Sequence, residues 1–531
     1  MTTKRATGSY YTPTSISEFI VKRVLNKHQG IQLKILEPSA GDGVFIRSVF
    51  KSDLFEHKIS KVTAIELSPR ECGKIRELNN SKVLTVLCED FLKYQSQFKK
   101  EQFDIVFGNP PYIKKNLLTP DQIASCQKIH AGFSELSKSA VKNIWSAFLV
   151  RSISLLKRDG ILSFVLPAEL LQVNFTAELR KLLTDEFQRV EIFTFNELLF
   201  KECKGQDTLV LIAEKNSETP GLFFHNVVDV VELDKDEFSF ISKNSSETSK
   251  WTTHCLTQPE IELLDSLKSN LKTVDQFCKS KAGIVTGANN YFILNQQDVN
   301  LYALQKYSKP IIQKGAVVTS PIKFDQQNFN QLVRNQSPCF LIDLNHAKIN
   351  SKSKINNYLL LGKSKQIDKR YKTQLRDNWY EVPNIATAGQ GLFFKRCHDV
   401  PKFIINEANV LATDSAYLVN PKENIDINSL VLSFYNSLTL IFAEINGRFY
   451  GGGVLELTPN EFKKLPLPYF KFSEVEYLKF LKLFQSEKDF DSNIKKLDTL
   501  ILKSVIPTIT DSEIELLVLI KQKLISRRKR L

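Results

Sequence analysis

Seven short apolar runs, the early ones separated by amphipathic stretches, restrict the first 215 or so residues to a sheet with helices wound about it. The runs are "LKIL" (33–36), "KVTAIE" (61–66), "VLTVLC" (83–88), "DIVFG" (104–108), "ILSFVL" (161–166), "VEIFTF" (190–195) and "TLVLIAE" (208–214). Nearly continuous apolar character over so few residues reads as a strand buried on both faces, the condition of a parallel sheet covered by helices. Parallel neighbours cannot be joined by a tight turn and need a crossover, which the amphipathic segments supply. In "TPTSISEFIVKRVL" Thr12 serves as N-cap and Pro13 as the first helical residue, with Ile16, Phe19, Ile20 and Val24 on one face. Val141 to Lys157 reads as the longest of these helices. The expected fold is α/β, a doubly wound, mostly parallel, Rossmann-like sheet.

Around "SFISKNSSETSKW" (239–251) the apolar pattern gives way to Ser, Lys and Asn, the composition of an exposed connection. The expected division is residues 1–245 for the sheet domain and 246–531 for a second, mixed α+β domain whose last sixty or so residues are helical. The net charge of +14, from 72 Lys and Arg against 58 Asp and Glu, favours polyanionic partners or simply aids solubility. Eight cysteines without a CxxC pair and seven histidines without HExxH spacing predict neither a disulfide framework nor a metal site. A reducing cytoplasm fits best. No apolar run approaches the roughly 18 residues of a membrane helix, and "MTTKRATGSYYTP" has no apolar signal core.

Chemistry concentrates at strand ends. "ILEPSAGDGVF" runs from a strand through Glu37, Pro38, Ser39, Ala40, Gly41, Asp42 and Gly43 into a helix. Small residues there let a ligand approach the backbone, and the helix N-terminus adds favourable amide dipoles. A dinucleotide fingerprint would need glycine at 46, where Ile46 stands, and no GKS or GKT follows for a P-loop. Glu66 closes the second strand, where a carboxylate can accept from both ribose hydroxyls. Asp90 and Phe91 close the third, where they can bond and cover an adenine ring. Each acid alone is better read as a solvated strand end or a helix cap; three at successive strand ends beside a glycine loop point to a nucleoside cofactor. After the fourth strand comes Asn109-Pro110-Pro111-Tyr112, a step rare by chance behind a buried strand.

In their order, "YYTP", "LEPSAGDG", "AIELSP", "CEDFL" and "GNPPY" closely resemble the adenine-specific (N6) DNA methyltransferases of type II restriction-modification systems, in the gamma motif order and with a TaqI-like C-terminal recognition domain. The resemblance is strong over residues 8–215 and recognisable in "AGIVTGANNYFIL" (282–294) and "GRFYGGGVLELTPNEFKKLPLP" (447–468). It implies S-adenosyl-L-methionine as cofactor, with Thr12 and the 37–43 loop on its methionine part, Glu66 on the ribose, Asp90 and Phe91 on the adenine, and Pro111 bordering the site. It implies double-stranded DNA as substrate, a monomeric cytoplasmic enzyme, and a cognate restriction endonuclease that shares the recognition sequence without contact.

An exocyclic amine is a poor nucleophile because its lone pair is delocalised into the ring. Accepting both its protons, at the Asn109 side-chain oxygen and the Pro110 carbonyl, would draw the nitrogen towards a tetrahedral geometry and release that lone pair, so positioning and polarisation are the whole of the protein's task. Proline suits the corner because its fixed φ holds a carbonyl at a set angle and removes a competing donor. The base must be flipped out of the duplex at a cost of a few kcal/mol. A stack on Tyr112, worth ~1–3 kcal/mol, offsets this, and in the family a second aromatic closes the other face, matched here by Phe200 or else a core residue. Alternatives with the same corner chemistry are RNA methylation and methylation of a protein glutamine amide. Against the latter, the glycine loop begins by Glu37 with no preceding helical domain, and about half the chain follows the sheet. Weaker signals read as structural first: Tyr10 and Tyr11 as a packing staple, Lys114 and Lys115 as solvated charges, Trp379 and Tyr380 amid Lys369, Arg370, Lys372 and Arg376 as a buried pair that could also touch DNA, and "RRKR" (527–530) as a solvated tail.

Overall fold

The computed structural model describes residues 11–78, 82–93, 102–137, 141–196, 207–235, 237–243, 250–347, 349, 354–385, 387–450, 452–486 and 489–530. The chain forms two compact units, one of residues 1–261 with 450–452 and 530–531, the other of residues 262–449 with 453–529.

Seven of the strands in the first unit are the seven apolar runs: β1 (Leu33–Glu37), β2 (Ile59–Glu66), β3 (Leu84–Cys88), β4 (Phe103–Gly108), β5 (Leu156–Pro167), β6 (Arg189–Phe195) and β7 (Thr208–Glu214). Two more, β8 (Gly221–Val227) and β9 (Ile241–Lys243), extend the edge, giving the order β3-β2-β1-β4-β5-β7-β6-β8-β9. β1 to β5 are mutually parallel, whereas β7 runs antiparallel to both β5 and β6. Side chains alternate between two cores. Ile35, Ile105 and Ile161 face one, Leu36, Val106 and Leu162 the other, as the two-residue period of a strand buried on both faces requires.

Helices α1 (Thr14–Lys27), α2 (Val44–Lys51) and α3 (Pro69–Glu77) serve the first core, and α4 (Pro120–His130), α5 (Trp145–Leu155) and α6 (Ala177–Glu186) the second. Two helix expectations shift. α1 starts at Thr14 rather than Pro13, because Pro13 is extended at ψ 142° and its carbonyl takes the first amides, those of Ile16 and Ser17. With 14 residues it is longer than α5, which has 11. α5 begins only at Trp145, because the preceding residues bond to the chain leaving β4: Lys115 N–H donates to the Lys142 carbonyl and Ile144 N–H to the Ile113 carbonyl, each at 2.9 Å. Beyond residue 246 the first unit still holds Trp251, which is 4% exposed and meets Phe224 edge-on at 5.8 Å.

The second unit holds an antiparallel-rich five-stranded sheet in the order Cys278–Ala282, Ala416–Pro421, Gly391–Phe394, Lys402–Asn406, Lys323–Phe324, and a four-stranded one. Helices Glu474–Ser486, Phe490–Val505 and Asp511–Lys529 end it. The basic tail is not wholly solvated. Arg528 is 2% exposed; its guanidinium donates to both Glu444 carboxylate oxygens and to the carbonyls of His398, Asp399 and Gly453. The last helix packs on Ser437–Asn446, so its final turn delivers Arg528 inward to the buried Glu444. Among the described residues no helix is long and apolar enough to cross a membrane.

Candidate functional site

At the carboxyl edge of the parallel strands, where loops from β1, β2, β3 and β4 converge, lies a cavity of about 500 Å³. This is where a doubly wound sheet offers a crevice for a ligand. Thr12, Glu37, Pro38, Ser39, Ala40, Gly41, Glu66, Asp90, Phe91, Asn109 and Pro111 all line it. Gly43, Pro110 and Tyr112 do not, and Phe200 lies outside the described residues.

The loop after β1 owes its shape to two glycines in left-handed backbone, Gly41 at φ 54° and Gly43 at φ 80°. Gly43 is the N-cap of α2 and supports the cavity wall rather than forming it. A Cβ there would sit 3.0 Å from Leu78 and 3.2 Å from Ile75, so the loop also needs a close approach to α3. Ala40 N–H donates to the Ile65 carbonyl at 2.9 Å, which fastens the loop to the end of β2. Glu66 then crosses the same gap: Oε2 accepts from Gly41 N–H at 2.9 Å and Oε1 from Ser68 N–H at 2.8 Å. Its carboxylate is thereby held rigid with lone pairs to spare, since an ionised carboxylate has about four acceptor sites.

Glu37, at the end of β1, is 1% exposed, and its Oε2 is buried without a hydrogen bond among the described residues. Burial holds its carboxyl well above the usual carboxylate range, and the negative charges of Asp42 and Glu66 push the same way. A buried carboxyl with an unsatisfied oxygen at the floor of a cavity is an acceptor awaiting a cation or donor. Phe91, 2% exposed, lies 5.2 Å from the Phe148 ring and 5.1 Å from the Arg151 guanidinium. Arg151 in turn donates to the Leu92 carbonyl at 3.1 Å, and Asp90 Oδ1 accepts from Leu92 N–H at 3.0 Å. This half presents an apolar face with a carboxylate at its rim.

The Asn-Pro-Pro-Tyr step leaves β4 through Gly108, whose φ of +154° lies outside the range of ordinary residues although its neighbours leave room for a Cβ, the nearest atoms being at 3.7 Å. The corner is bolted at both ends. The Ser39 hydroxyl donates to the Asn109 carbonyl at 3.2 Å, tying the corner to the glycine loop, and the Tyr112 hydroxyl donates to the Val165 carbonyl at 3.0 Å, tying it to β5. Tyr112 is only 7% exposed and belongs to the second core. The structure therefore brings Asn109 and Pro111 to the cavity and sets Pro110 and Tyr112 behind or beside it.

Sequence reasoning missed the wall contributed by α4 and α5, where Gln122, Ser125, Ile144 and Phe148 line the cavity. Phe148 is legible as part of an apolar helix face, but periodicity does not say what that face meets. Tyr11 also lines the cavity and is half exposed, whereas Tyr10 lies outside the described residues. Trp379 is partly buried against the second unit's core, 5.7 Å from Tyr291, as a packing residue. One group with metal-ligand composition exists among the described residues: His28, Asp104 and Asp159 bring donor atoms within 4.8 Å of one another. Its donors are largely spent. Gly30 N–H donates to His28 Nδ1, and Asp104 takes the Lys34 N–H and the Lys157 ammonium. It lies at the opening of β4, the strand end remote from Asn109.

A mostly parallel sheet with a reversed seventh strand, and a cavity where the first four strands open, define a doubly wound, Rossmann-like methyltransferase fold. Residues 43–200 match the family "Eco57I restriction-modification methylase" and residues 248–502 the family "Type II methyltransferase M.Eco57I, C-terminal domain". The chain belongs with the type II restriction-modification methyltransferases. Among curated relatives it is 26% identical to type II methyltransferase M.AccI of Acinetobacter calcoaceticus, over 86% of this chain and 84% of that one. It is 22% identical to M.XamI of Xanthomonas campestris pv. amaranthicola (87% and 85%) and to M.BanIII of Aneurinibacillus aneurinilyticus (92% and 94%). Solved structures of similar fold include the DrdV–DNA complex, with a TM-score of 0.50, 14% identity and 82% of this chain covered. Another is the ATP-dependent Type ISP restriction-modification enzyme LlaBIII bound to DNA, with a TM-score of 0.50, 12% identity and 89% covered. The chain spans 54% and 38% of those two chains.

Proposed function

We propose that this protein methylates the exocyclic amino group of adenine within a short duplex DNA sequence, using S-adenosyl-L-methionine, as the modification partner of a cognate restriction endonuclease. The observation that carries the reading is the shared wall: one cavity is bounded by the glycine loop, Glu66, Asp90 and Phe91 on one side and by Asn109 and Pro111 on the other. Relatives along nearly the whole chain are type II methyltransferases, and two fold neighbours were solved with DNA.

The residues present fit the cofactor. The unsatisfied oxygen of Glu37 suits a cationic amine, the Glu66 carboxylate retains acceptor capacity for ribose hydroxyls, and Phe91 with Asp90 at its rim suits an adenine ring. When bound, S-adenosylmethionine supplies an electrophilic sulfonium methyl. The protein's own part is to grip the acceptor amine. The Asn109 side-chain oxygen would accept a hydrogen bond from one N–H and the Pro110 carbonyl, at the cavity's border, from the other, which pulls the lone pair out of conjugation, and after transfer the surplus proton would pass to solvent water. The Ser39 and Tyr112 anchors keep the two acceptors from drifting, which matters because a misplacement of about 1 Å can cost on the order of 10²-fold in rate. Tyr112, its hydroxyl tied to the Val165 carbonyl, is the residue assigned to stack on the flipped base, and Phe200, outside the described residues, is assigned to the opposing face.

The test is transfer of labelled methyl from S-adenosylmethionine to duplex DNA, RNA or a translation release factor offered in parallel. Label in duplex DNA, recovered as N6-methyladenine, is the expected result; label confined to RNA or to the release factor overturns the substrate. Asn109→Ala should keep cofactor affinity while turnover falls about 10²–10³-fold, the scale of losing one preorganised polar contact to the reacting group. Unchanged turnover would remove Asn109 from the mechanism.

A further inference from the structure

Within the second unit, residues 363–376 carry six cations, Lys363, Lys365, Lys369, Arg370, Lys372 and Arg376, against the single acid Asp368. All but Arg376 are exposed, and none of those five forms an ion pair among the described residues. Elsewhere in the unit surface cations such as Lys309, Lys323 and Arg396 do meet carboxylates. Two large apolar side chains stand out of the same segment, Tyr371 at 77% and Leu375 at 71% exposed. An isolated charge run is ordinarily a solvated face. Exposed charges and single apolar side chains are each at ease in water, and what sets this run apart is their coincidence: cations that no carboxylate neutralises, with an aromatic and an aliphatic projecting from their middle.

The segment is also stiffly mounted. Ile367 and Thr373 are buried beneath it, and the Thr373 hydroxyl donates to the Ile367 carbonyl at 2.5 Å. Arg376 donates to the carbonyls of Thr286 (2.6 Å) and Glu381 (2.7 Å) and lies 5.3 Å over the Phe292 ring. Thr286 and Phe292 belong to "AGIVTGANNYFIL", and Gly287 within it, at φ +76°, comes so near that a Cβ would lie 3.1 Å from Lys372 Cβ. The motif is thus a cradle that presents the basic segment. Beside it opens a cavity of about 590 Å³ whose lining joins Lys372, Leu375, Arg376 and His346 with the acids Asp377 and Glu381.

Resting on the proposed function, we infer that residues 363–376 form a duplex-DNA contact, in which Lys369, Arg370 and Lys372 neutralise backbone phosphates and Tyr371 and Leu375 lie against the sugars and base edges between them. Phosphates are the polyanion that an unpaired lysine and arginine cluster fits, and an apolar side chain set between phosphate contacts reaches the groove.

The experiment uses the full chain and a duplex that the wild type methylates. Binding is measured by fluorescence anisotropy over a salt series for the wild type and for Lys369→Ala/Arg370→Ala/Lys372→Ala. Each lost phosphate contact lowers the slope of log K against log salt by about 0.9, so the triple variant should lose up to about 2.7 of slope and bind at least tenfold more weakly at low salt. Its melting temperature and S-adenosylmethionine affinity should equal those of the wild type. Tyr371→Ala/Leu375→Ala should weaken binding with the slope retained. A wild-type slope and affinity in the triple variant overturn the inference while leaving the proposed function intact; a wild type that neither binds nor methylates duplex DNA overturns both.

Discussion

Glu37→Gln should make the protein more stable without cofactor and a worse enzyme with it. Glu37 is buried with one carboxylate oxygen unsatisfied, and burial holds its folded pKa well above the ordinary 4.5. The folded state therefore keeps a proton that the unfolded chain has released, and stability falls as pH rises from the unfolded towards the folded pKa, by about 1.4 kcal/mol per pH unit inside that window. Between about pH 5.5 and 7.5 the wild type should therefore lose stability for as far as the raised folded pKa extends into that interval. Glutamine does not titrate, so the variant loses that slope. It adds an amide N–H whose burial takes back about 1 kcal/mol, so the variant is the more stable protein once the wild-type slope has run over more than about one pH unit. S-adenosylmethionine works against that advantage. An ionised Glu37 facing a cationic amine is a charge-assisted contact of about 1.5–3 kcal/mol, so the variant should bind cofactor about 10–100-fold more weakly. At 100 times the wild-type Kd the ligand adds about 2.7 kcal/mol to the wild type and about 0.4–1.4 kcal/mol to the variant, so the variant's advantage should shrink by about 1.3–2.3 kcal/mol. Urea unfolding at the two pH values, with and without cofactor, reads all of this. Titration calorimetry in buffers of different ionisation enthalpy adds that wild-type binding releases a proton and variant binding does not. A variant less stable than wild type at pH 7.5 without cofactor, or with an undiminished cofactor-induced shift, would refute the reasoning.

Tyr112→Phe deletes the donor to the buried Val165 carbonyl and should cost about 1–2 kcal/mol in urea unfolding while retaining more turnover than Tyr112→Ala. Burial pushes the Asp498 carboxyl up to about 6 even though it accepts from the Ser437 N–H and hydroxyl. Its folded pKa lies above the ordinary 3.8, so its contribution is fullest below that value and about 3 kcal/mol is lost as pH rises through about 6; Asp498→Asn should remove that loss, measured by unfolding at pH 4.5 and 8. His130 behaves oppositely: fully buried and hydrogen-bonded through Nε2 to Ser146, it is depressed to about 4, so its neutral form stabilises the fold above pH 6.5 and that stability is lost as pH falls through about 4. His130→Asn should flatten the acid limb of the wild-type stability curve, and an unchanged limb would show that another group governs it.

The sheet was legible because a strand buried on both faces needs an unbroken apolar run, and all seven such runs became strands. β8 and β9 were not, because an edge needs burial on one side only: Gly221–Val227 alternates buried and partly exposed residues, and Ile241–Lys243 is too short to show a period. Helix starts moved where backbone partners far along the chain intervened, as the bonds from residues 113–115 to 142–144 did to α5. A local pattern carries no trace of such bonds. The basic tail misled for the same reason. Charge reads as exposure until a buried Glu444 appears opposite it, and Glu444 lies 84 residues away.

The site divides along the same line. Residues whose chemistry depends on backbone shape, such as Gly41, or on standing at a strand end, such as Glu66 and Asp90, announce themselves in sequence because turn and strand grammar is local. Those that owe their place to tertiary packing do not, and Tyr112 shows why the distinction matters. From sequence its ring reads as a platform for a base; in the fold its hydroxyl holds the Asn-Pro-Pro-Tyr corner to β5 while the ring fills the core. A stacking role for that ring and an anchoring role for that hydroxyl make different demands on the same residue. The anchor keeps the ring from turning to meet its target, so the target must be brought to the ring. For an enzyme proposed to polarise an amine by geometry alone, the mobile partner is then the flipped base and the protein corner is the fixed one. Preorganisation of this kind places the ordering cost on substrate binding rather than on the chemical step.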